Sequence, residues 1–203
     1  MELDTVFETE RLLLRPIHLD DADDVYLLTG DPEVMRFANC DVLSLEATKE
    51  SLRRNISTRL PAMLPLGWRH IEIKETGSVI GDCGLHHLEN IQGRPVEISY
   101  HIARRHWGQG YATEAAKCLL KHGFSDLELP EIVAAINPDN PASIRVAEKL
   151  DLTFKQNVDW PEQGQVGLYS LFKDKYERAN QKFEPTLNPP RDEGNVQGSA
   201  AHL

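Results

Sequence analysis

From Trp107 the chain reads Trp107-Gly108-Gln109-Gly110-Tyr111-Ala112-Thr113-Glu114-Ala115, two glycines set just ahead of an amphipathic segment. Glycine lets backbone approach a ligand closely, and the free N–H groups of a first helical turn, at the positive end of its dipole, favour a phosphate group. The segment is neither of the commoner phosphate loops. It lacks the Gly-Lys-Ser/Thr ending of a P-loop and the three glycines of the dinucleotide fingerprint. A bare Gly-x-Gly is also an ordinary tight turn, so its chemistry depends on what surrounds it.

A carboxylate stands shortly before that loop. In Val96-Glu97-Ile98-Ser99-Tyr100-His101-Ile102 the apolar residues alternate strictly, so Val96, Ile98, Tyr100 and Ile102 share one face and Glu97, Ser99 and His101 the other. Glu97 is therefore predicted off the core. It suits a general base and equally a polar residue on a solvated strand face. Cys83 and Cys118 fall on predicted core faces and read as structural. His70, His86, His87 and His101 show no metal-ligand spacing, and Cys40, Cys83 and Cys118 form no CxxC pair, so no metal is expected.

These residues need elements to hold them. Arg11 to Ile17 reads as a strand stopped by Pro16, with Asp20 as the cap of a helix carrying Ala22, Val25, Tyr26 and Leu28. The acids Asp20, Asp21, Asp23 and Asp24 suit that helix's first turn, and a cationic peptide is an alternative partner for them. A second helix starts at Ser44 and presents Leu45, Thr48, Leu52, Ile56 and Leu60 before Pro61. Trp68–Ile73 and Val79–Leu85 read as a hairpin around Gly77. After the Gly-rich loop, Ala112, Ala115, Ala116, Leu119 and Leu120 define a helix that Gly123 closes. Ile132–Ile136 is a buried strand, ended by Asn137-Pro138-Asp139-Asn140-Pro141, with Asn140 as N-cap and Pro141 opening a helix to Leu150. The strands at Val96 and Ile132, joined by a helix, predict a parallel crossover, with ligands gathering beyond the strands' carboxyl ends, where Asn137 and Asn140 lie. Leu152–Phe154 and Val166–Phe172 are final strands, and Tyr176 marks a short helical end.

The chain's 203 residues, 40% hydrophobic and 27% charged, suit one soluble domain, expected over residues 1–180, followed by a polar tail over 181–203 expected to be disordered. The start shows no secretory signal and no apolar run is long enough to cross a bilayer, so no membrane association is expected. An odd number of scattered cysteines suits a reducing cytosol, and a cytoplasmic location is expected. The net charge of −10 disfavours nucleic acid and favours a cationic or amine-bearing partner, while leaving room for a local basic pocket.

From about Phe7 to Lys175 the sequence resembles the GNAT family of acyl-CoA N-acyltransferases, and within it the RimJ/RimL-like branch that acetylates the N-terminal amine of ribosomal proteins. The resemblance rests on Glu10-Arg11-Leu12-Leu13-Leu14-Arg15-Pro16, Ile80-Gly81, Glu97-Ile98-Ser99-Tyr100, the Gly-rich loop, and Asn140-Pro141-Ala142-Ser143-Ile144-Arg145, all in the family's order. The family's pyrophosphate motif, Arg/Gln-x-x-Gly-x-Gly/Ala, fits Trp107 to Ala112, with Trp107 departing at the first position. Arg105 to Gly110 also satisfies it. The later register is preferred, because it places Ala112 at the helix's first core-facing position. Arg104 and Arg105 then add charge near a phosphate or are simply solvated.

The resemblance implies an α/β fold (α+β by some schemes): a mixed, twisted central sheet flanked by helices, with two splayed parallel strands. It implies acetyl-CoA as co-substrate and transfer to a primary amine by direct attack in a ternary complex. The cofactor residues it implies are Tyr100, His101 and Ile102 on the strand, Trp107, Gly108, Gln109, Gly110, Tyr111, Ala112 and Thr113 in the loop, and Asn137, Asn140 and Ser143 beyond the next strand. Glu97 is the catalytic candidate, because an alkylammonium must lose a proton before it attacks. Ser143, otherwise a helix-start residue, and Tyr169, otherwise a core tyrosine, are the two candidates for protonating the thiolate. His86 and His101 are candidates to line the acceptor cleft. The acceptor is expected to be an amine-bearing small molecule, such as a polyamine or aminoglycoside, or a peptide or protein N-terminus, and the protein a monomer or homodimer. The rival reading is a non-catalytic acyl-CoA-binding regulatory module.

Overall fold

Leu12 and Leu14, wholly buried, alternate with half-buried Leu13 and Arg15, and this pleat pairs β2 (Leu12–Arg15) with the short β1 (Phe7–Glu8). The computed structural model describes residues 6–38, 41–57, 66–160 and 164–181. Helices α1 (Ala22–Thr29), α2 (Pro32–Met35) and α3 (Leu45–Ser57) follow β2. Next come β3 (Gly67–Ile73), β4 (Val79–His87), β5 (Val96–Ile102), α4 (Tyr111–Lys121), β6 (Glu131–Ile136), α5 (Pro141–Lys149), β7 (Thr153–Trp160), β8 (Gly164–Phe172) and α6 (Lys173–Gln181). Among the described residues the strands form one sheet in the order β1-β2-β3-β4-β5-β6-β8-β7, antiparallel throughout except where β6 runs parallel to β5.

The main core lies between the sheet and the helices α4 and α5. Ala115, Ala116, Leu119 and Leu120 of α4 and Ala147 of α5 pack on Leu12, Ile71, Ile98 and Ile132. The small residues of α4 let it lie close to the strands, and a fully buried leucine-sized side chain stabilises by about 1.5–3 kcal/mol. On the other face α1 lies over β4 and packs on α3 through Ala22, Val25 and Leu52. Farther along that face Leu88, Val133 and Leu168 form a separate small cluster.

Several elements depart from the expectations. Asp20 does not cap α1. A 3-10 turn over Leu19–Asp21 precedes the helix, and buried Asp21 accepts the His18 N–H and pairs with Arg15 at 2.7 Å. The acids at Asp23 and Asp24 do sit in α1's first turn, while Tyr26 is exposed rather than core-facing. Gly123 does not end α4. It lies inside a π-turn (His122–Asp126), packed so closely on β6 that a side chain there would meet Ile132 Cδ1 at 2.6 Å. Strand β7 runs six residues past Phe154, to Trp160; it is a mostly exposed edge whose apolar alternation is limited to Val158 and Trp160, half-buried against the Leu88, Val133 and Leu168 cluster. Cys83 is buried and Cys118 half-buried, and burial raises both thiols' pKa. Cys40, Pro61 and the tail beyond Gln181 lie outside the described residues.

Candidate active site

Strands β5 and β6 pair only at Val96↔Ile132 and Glu97↔Val133, and then separate. Ala103 donates its N–H to the Ile80 carbonyl, so the odd-numbered residues of β5 bond β4. The even-numbered residues Tyr100 and Ile102 therefore turn their backbone groups into the fork. At its far end the Trp107 indole N–H donates to the Ile102 carbonyl at 2.6 Å, folding the turn over Arg104–His106 back onto β5.

Glu97 sits at the root of this fork. The strand alternation is as expected, but the face it points to is covered, and Glu97 is 7% exposed where a solvated position was predicted. One oxygen accepts the Ala135 N–H at 2.8 Å, the next backbone donor of β6 beyond Val133. The carboxylate thus replaces the ladder bond that the departing strand gives up. The other oxygen lies 3.1 Å from His86 Nε2, opposite it on β4. Beside them the Trp68 indole stacks on His86 and His101, at ring-centre separations of 5.3 and 5.5 Å. It lies over Gly84, where a Cβ would come within 3.1 Å of Trp68 Cδ2.

Next in line is a charged row. His101 Nδ1 is 2.8 Å from Asp82 Oδ1. Burial works against the charged His101 ring, but the charge and hydrogen bond of Asp82, with Glu97's charge, outweigh it and raise its pKa. His70, 1% exposed between Arg15 and Asp82 in the sheet, is shifted the other way, chiefly by burial. Among the described residues no cluster of His, Cys, Asp or Glu could hold a metal ion.

The Gly-rich loop enters α4 through Gly110, whose φ of +84° favours glycine, as does the +75° of Gly108. A side chain on Gly108 would meet nothing within 4 Å, so that side of the loop is open. The loop's outer side is braced from the β1–β2 hairpin. Glu114 accepts the Thr9 hydroxyl at 2.6 Å, the Arg11 N–H at 2.9 Å and Arg11 Nε at 2.7 Å. Arg11 Nη1 donates to the Gln109 carbonyl at 3.1 Å, and its guanidinium stacks 4.4 Å over the Tyr111 ring. Arg104 is not free for a phosphate, since it pairs with Asp31 at 3.2 Å. Open glycine-bearing backbone at a helix start, continuous with a fork of backbone groups, fits the pyrophosphate and pantetheine arm of acetyl-CoA.

Beyond β6, Asn140 Oδ1 accepts the Ser143 N–H at 3.1 Å, the expected cap, and Asn137 Oδ1 accepts the Asp139 N–H at 2.9 Å. What these asparagines offer a ligand is thus their amide NH2 groups. Tyr100 donates its hydroxyl to the Ser143 carbonyl at 3.2 Å across the fork, and burial raises the phenol's pKa. Ser143 therefore lies on the α4/α5 side of the slot and Glu97 on the other. Tyr169 is on β8 beside Ala134, packed against the main core and edge-on to Phe154 at 5.7 Å. Thr113 and Ala112, in α4's first turn, are half-buried. The Thr9–Arg11–Glu114 brace and the Trp68 stack are what the sequence reading did not single out. Nothing local in the sequence around Arg11 ties it to a loop about a hundred residues away.

The same architecture recurs in solved structures. An acetyltransferase of the GNAT family from Bacillus anthracis superposes with a TM-score of 0.71 at 23% identity, covering 84% of this chain and 99% of that one. RimL, the ribosomal L7/L12 alpha-N-protein acetyltransferase in complex with coenzyme A, superposes at 0.69 and 19% identity, covering 84% and 99%. In sequence the chain is 36% identical over 176 residues to the Bacillus licheniformis protein named "Uncharacterized N-acetyltransferase p20", covering 83% of this chain and 96% of that protein. It is 31% identical over 145 residues to the Bacillus subtilis protein named "Uncharacterized N-acetyltransferase YoaA", covering 71% and 81%. No helix among the described residues is long and apolar enough to cross a membrane. Residues 11–153, from the bracing arginine through the loop to the start of β7, match the acetyltransferase (GNAT) domain, and the chain belongs to that family of acetyl-CoA-dependent acetyltransferases.

Proposed function

We propose that the chain acetylates a primary amine by direct attack in a ternary complex, with Glu97 as general base and Ser143 as the proton donor to the departing sulfur. The observation that carries this is Glu97's position at the root of the β5–β6 fork, held by the Ala135 N–H and His86. Acetyl-CoA, when bound, supplies an acyl group already activated as a thioester. Glu97 takes the proton that the ammonium or the attacking amine loses, directly or through water, and the Ala135 N–H holds the carboxylate in place. Ile102 turns its N–H into the fork, where a positioned donor stabilises developing oxyanion charge, of order 3 kcal/mol per donor. The Ser143 hydroxyl, on the opposite side of the slot, donates a hydrogen bond to the departing sulfur and passes it a proton as water returns one to the hydroxyl. Tyr169 is the alternative donor, and its packing on the core and Phe154 favours Ser143. No cysteine lies in the loop or fork motifs to carry the acyl group, in keeping with direct attack.

The acceptor enters from the Glu97 face, past Trp68. Two classes suit it. A protein N-terminus is supported by the likeness to RimL, and a small polyamine by the net charge of −10. The deciding measurement is thiol release from acetyl-CoA with a panel of free-N-terminus peptides, polyamines and aminoglycosides. Release with one class assigns the acceptor. Coenzyme A binding with no amine-dependent release across the panel returns the reading to a non-catalytic acyl-CoA-binding module.

A further inference from the structure

We propose that Arg11 is a positioning residue for the cofactor: from the β1–β2 hairpin it locks the Gln109–Gly110 peptide so that the Gly110 N–H faces the pyrophosphate. This rests on the reading of the Gly-rich loop as the pyrophosphate site. In a trans peptide the C=O of one residue and the N–H of the next point in opposite directions. The Gln109 carbonyl is held by Arg11 Nη1 at 3.1 Å on the loop's outer side, so the Gly110 N–H points inward. The lock matters because Gly110, at φ +84°, tolerates rotation of the preceding peptide more readily than other residues. The rotated peptide would offer a carbonyl oxygen to the phosphates, replacing attraction by repulsion.

Arg11 is itself fixed by Glu114 and by Tyr111. Glu114, three residues into the helix the loop opens, takes Arg11 Nε at 2.7 Å, Nη2 at 2.6 Å and the Arg11 backbone N–H at 2.9 Å. Thr9 adds its hydroxyl to the same carboxylate at 2.6 Å. The Tyr111 ring backs the guanidinium at 4.4 Å. This is a planar fork used at two angles at once, on a carboxylate and on a carbonyl, a geometry the single ammonium of lysine does not reproduce. The arrangement also brings a cation behind the loop, with Nη2 3.6 Å from where a Cβ of Gly110 would stand.

The test measures coenzyme A binding by calorimetry, and kcat/KM for acetyl-CoA and for acetyl-pantetheine, which lacks the pyrophosphate. The proteins compared are the parent, Arg11→Ala, Arg11→Lys and Gly110→Glu. Arg11→Ala should weaken coenzyme A by about 10- to 100-fold, the range for losing one hydrogen bond to a charged group, and lower the preference for acetyl-CoA over acetyl-pantetheine by a similar factor. Arg11→Lys should recover only part of it. A merely structural arginine would lower the melting temperature without moving that preference. If Arg11→Ala binds coenzyme A as the parent does while Gly110→Glu does not, the lock is wrong and the loop reading stands. If folded Gly110→Glu also binds as the parent does, the loop reading itself fails. Should Arg11→Ala not fold, Arg11→Lys decides: parental affinity and parental preference overturn the proposal.

Discussion

Glu97 shows how a residue can be placed by spacing and still be misjudged in its surroundings. Alternation along Val96–Ile102 fixes the face it shares with Ser99 and His101, because a strand has a period of two. What covers that face depends on α1, packed over β4, and on where β6 parts from β5, and neither leaves a mark beside Glu97. Its two partners are likewise remote: a backbone N–H that exists for it only because two strands diverge, and a histidine paired across an antiparallel register. Replacing Glu97 by Gln keeps the size and removes the base. Coenzyme A affinity should persist, turnover should fall by roughly 10²–10⁴-fold, and the loss should shrink as pH rises and more of the amine is neutral. Steady-state rates from about pH 6 to 10 check this, a span that covers ordinary amine titration. Near-parental turnover with an unchanged profile would remove Glu97 from the mechanism.

At the scale of elements, strands with apolar alternation and helices with a cap were legible, and α5 is the clearest instance. Asn140, Pro141 and the apolar positions that follow are local, so the cap appears where it was expected. β7 was largely missed because its apolar alternation is confined to Val158 and Trp160 on a mostly exposed edge strand, and α2 because four residues carry no period. Asn140 caps α5, and the proposal that its NH2 group also contacts the cofactor can be tested apart from the cap. Asn140→Ala should lower stability by about 1 kcal/mol, the usual cost of a lost N-cap, and weaken coenzyme A. Asn140→Ser keeps a capping oxygen but has no NH2 group. It should melt close to the parent and still bind coenzyme A several-fold more weakly. Thermal melts and calorimetry on both variants read the two effects apart. Parental affinity in Asn140→Ser would reduce Asn140 to a cap.

Over the whole molecule, charge is divided as two unlike substrates require. The net charge is −10, yet Arg11, paired with Glu114, stands beside the Gly-rich loop and Arg105 lies just ahead of it, so the proposed cofactor site carries cations within an acidic field. Glu97 and Asp82 lie together on one face of β4–β5, and on the proposed function it is this face that a cationic acceptor approaches. Composition alone disclosed the net charge; the separation needs the topology, since Arg11 and Gln109 meet only because the β1–β2 hairpin folds against the start of α4. Long-range attraction of this kind is screened by salt, with a Debye length of about 10 Å at 0.1 M and 3 Å at 1 M. At saturating acetyl-CoA, raising sodium chloride from about 0.05 to 0.5 M should therefore raise KM for a polycationic acceptor several-fold, leave KM for a singly charged amine little changed, and move kcat less than either. Initial rates at a series of salt concentrations measure all three quantities. Equal salt dependence for both acceptors would mean that recognition is confined to the reacting amine and its immediate neighbours, with the protein's overall charge playing no part.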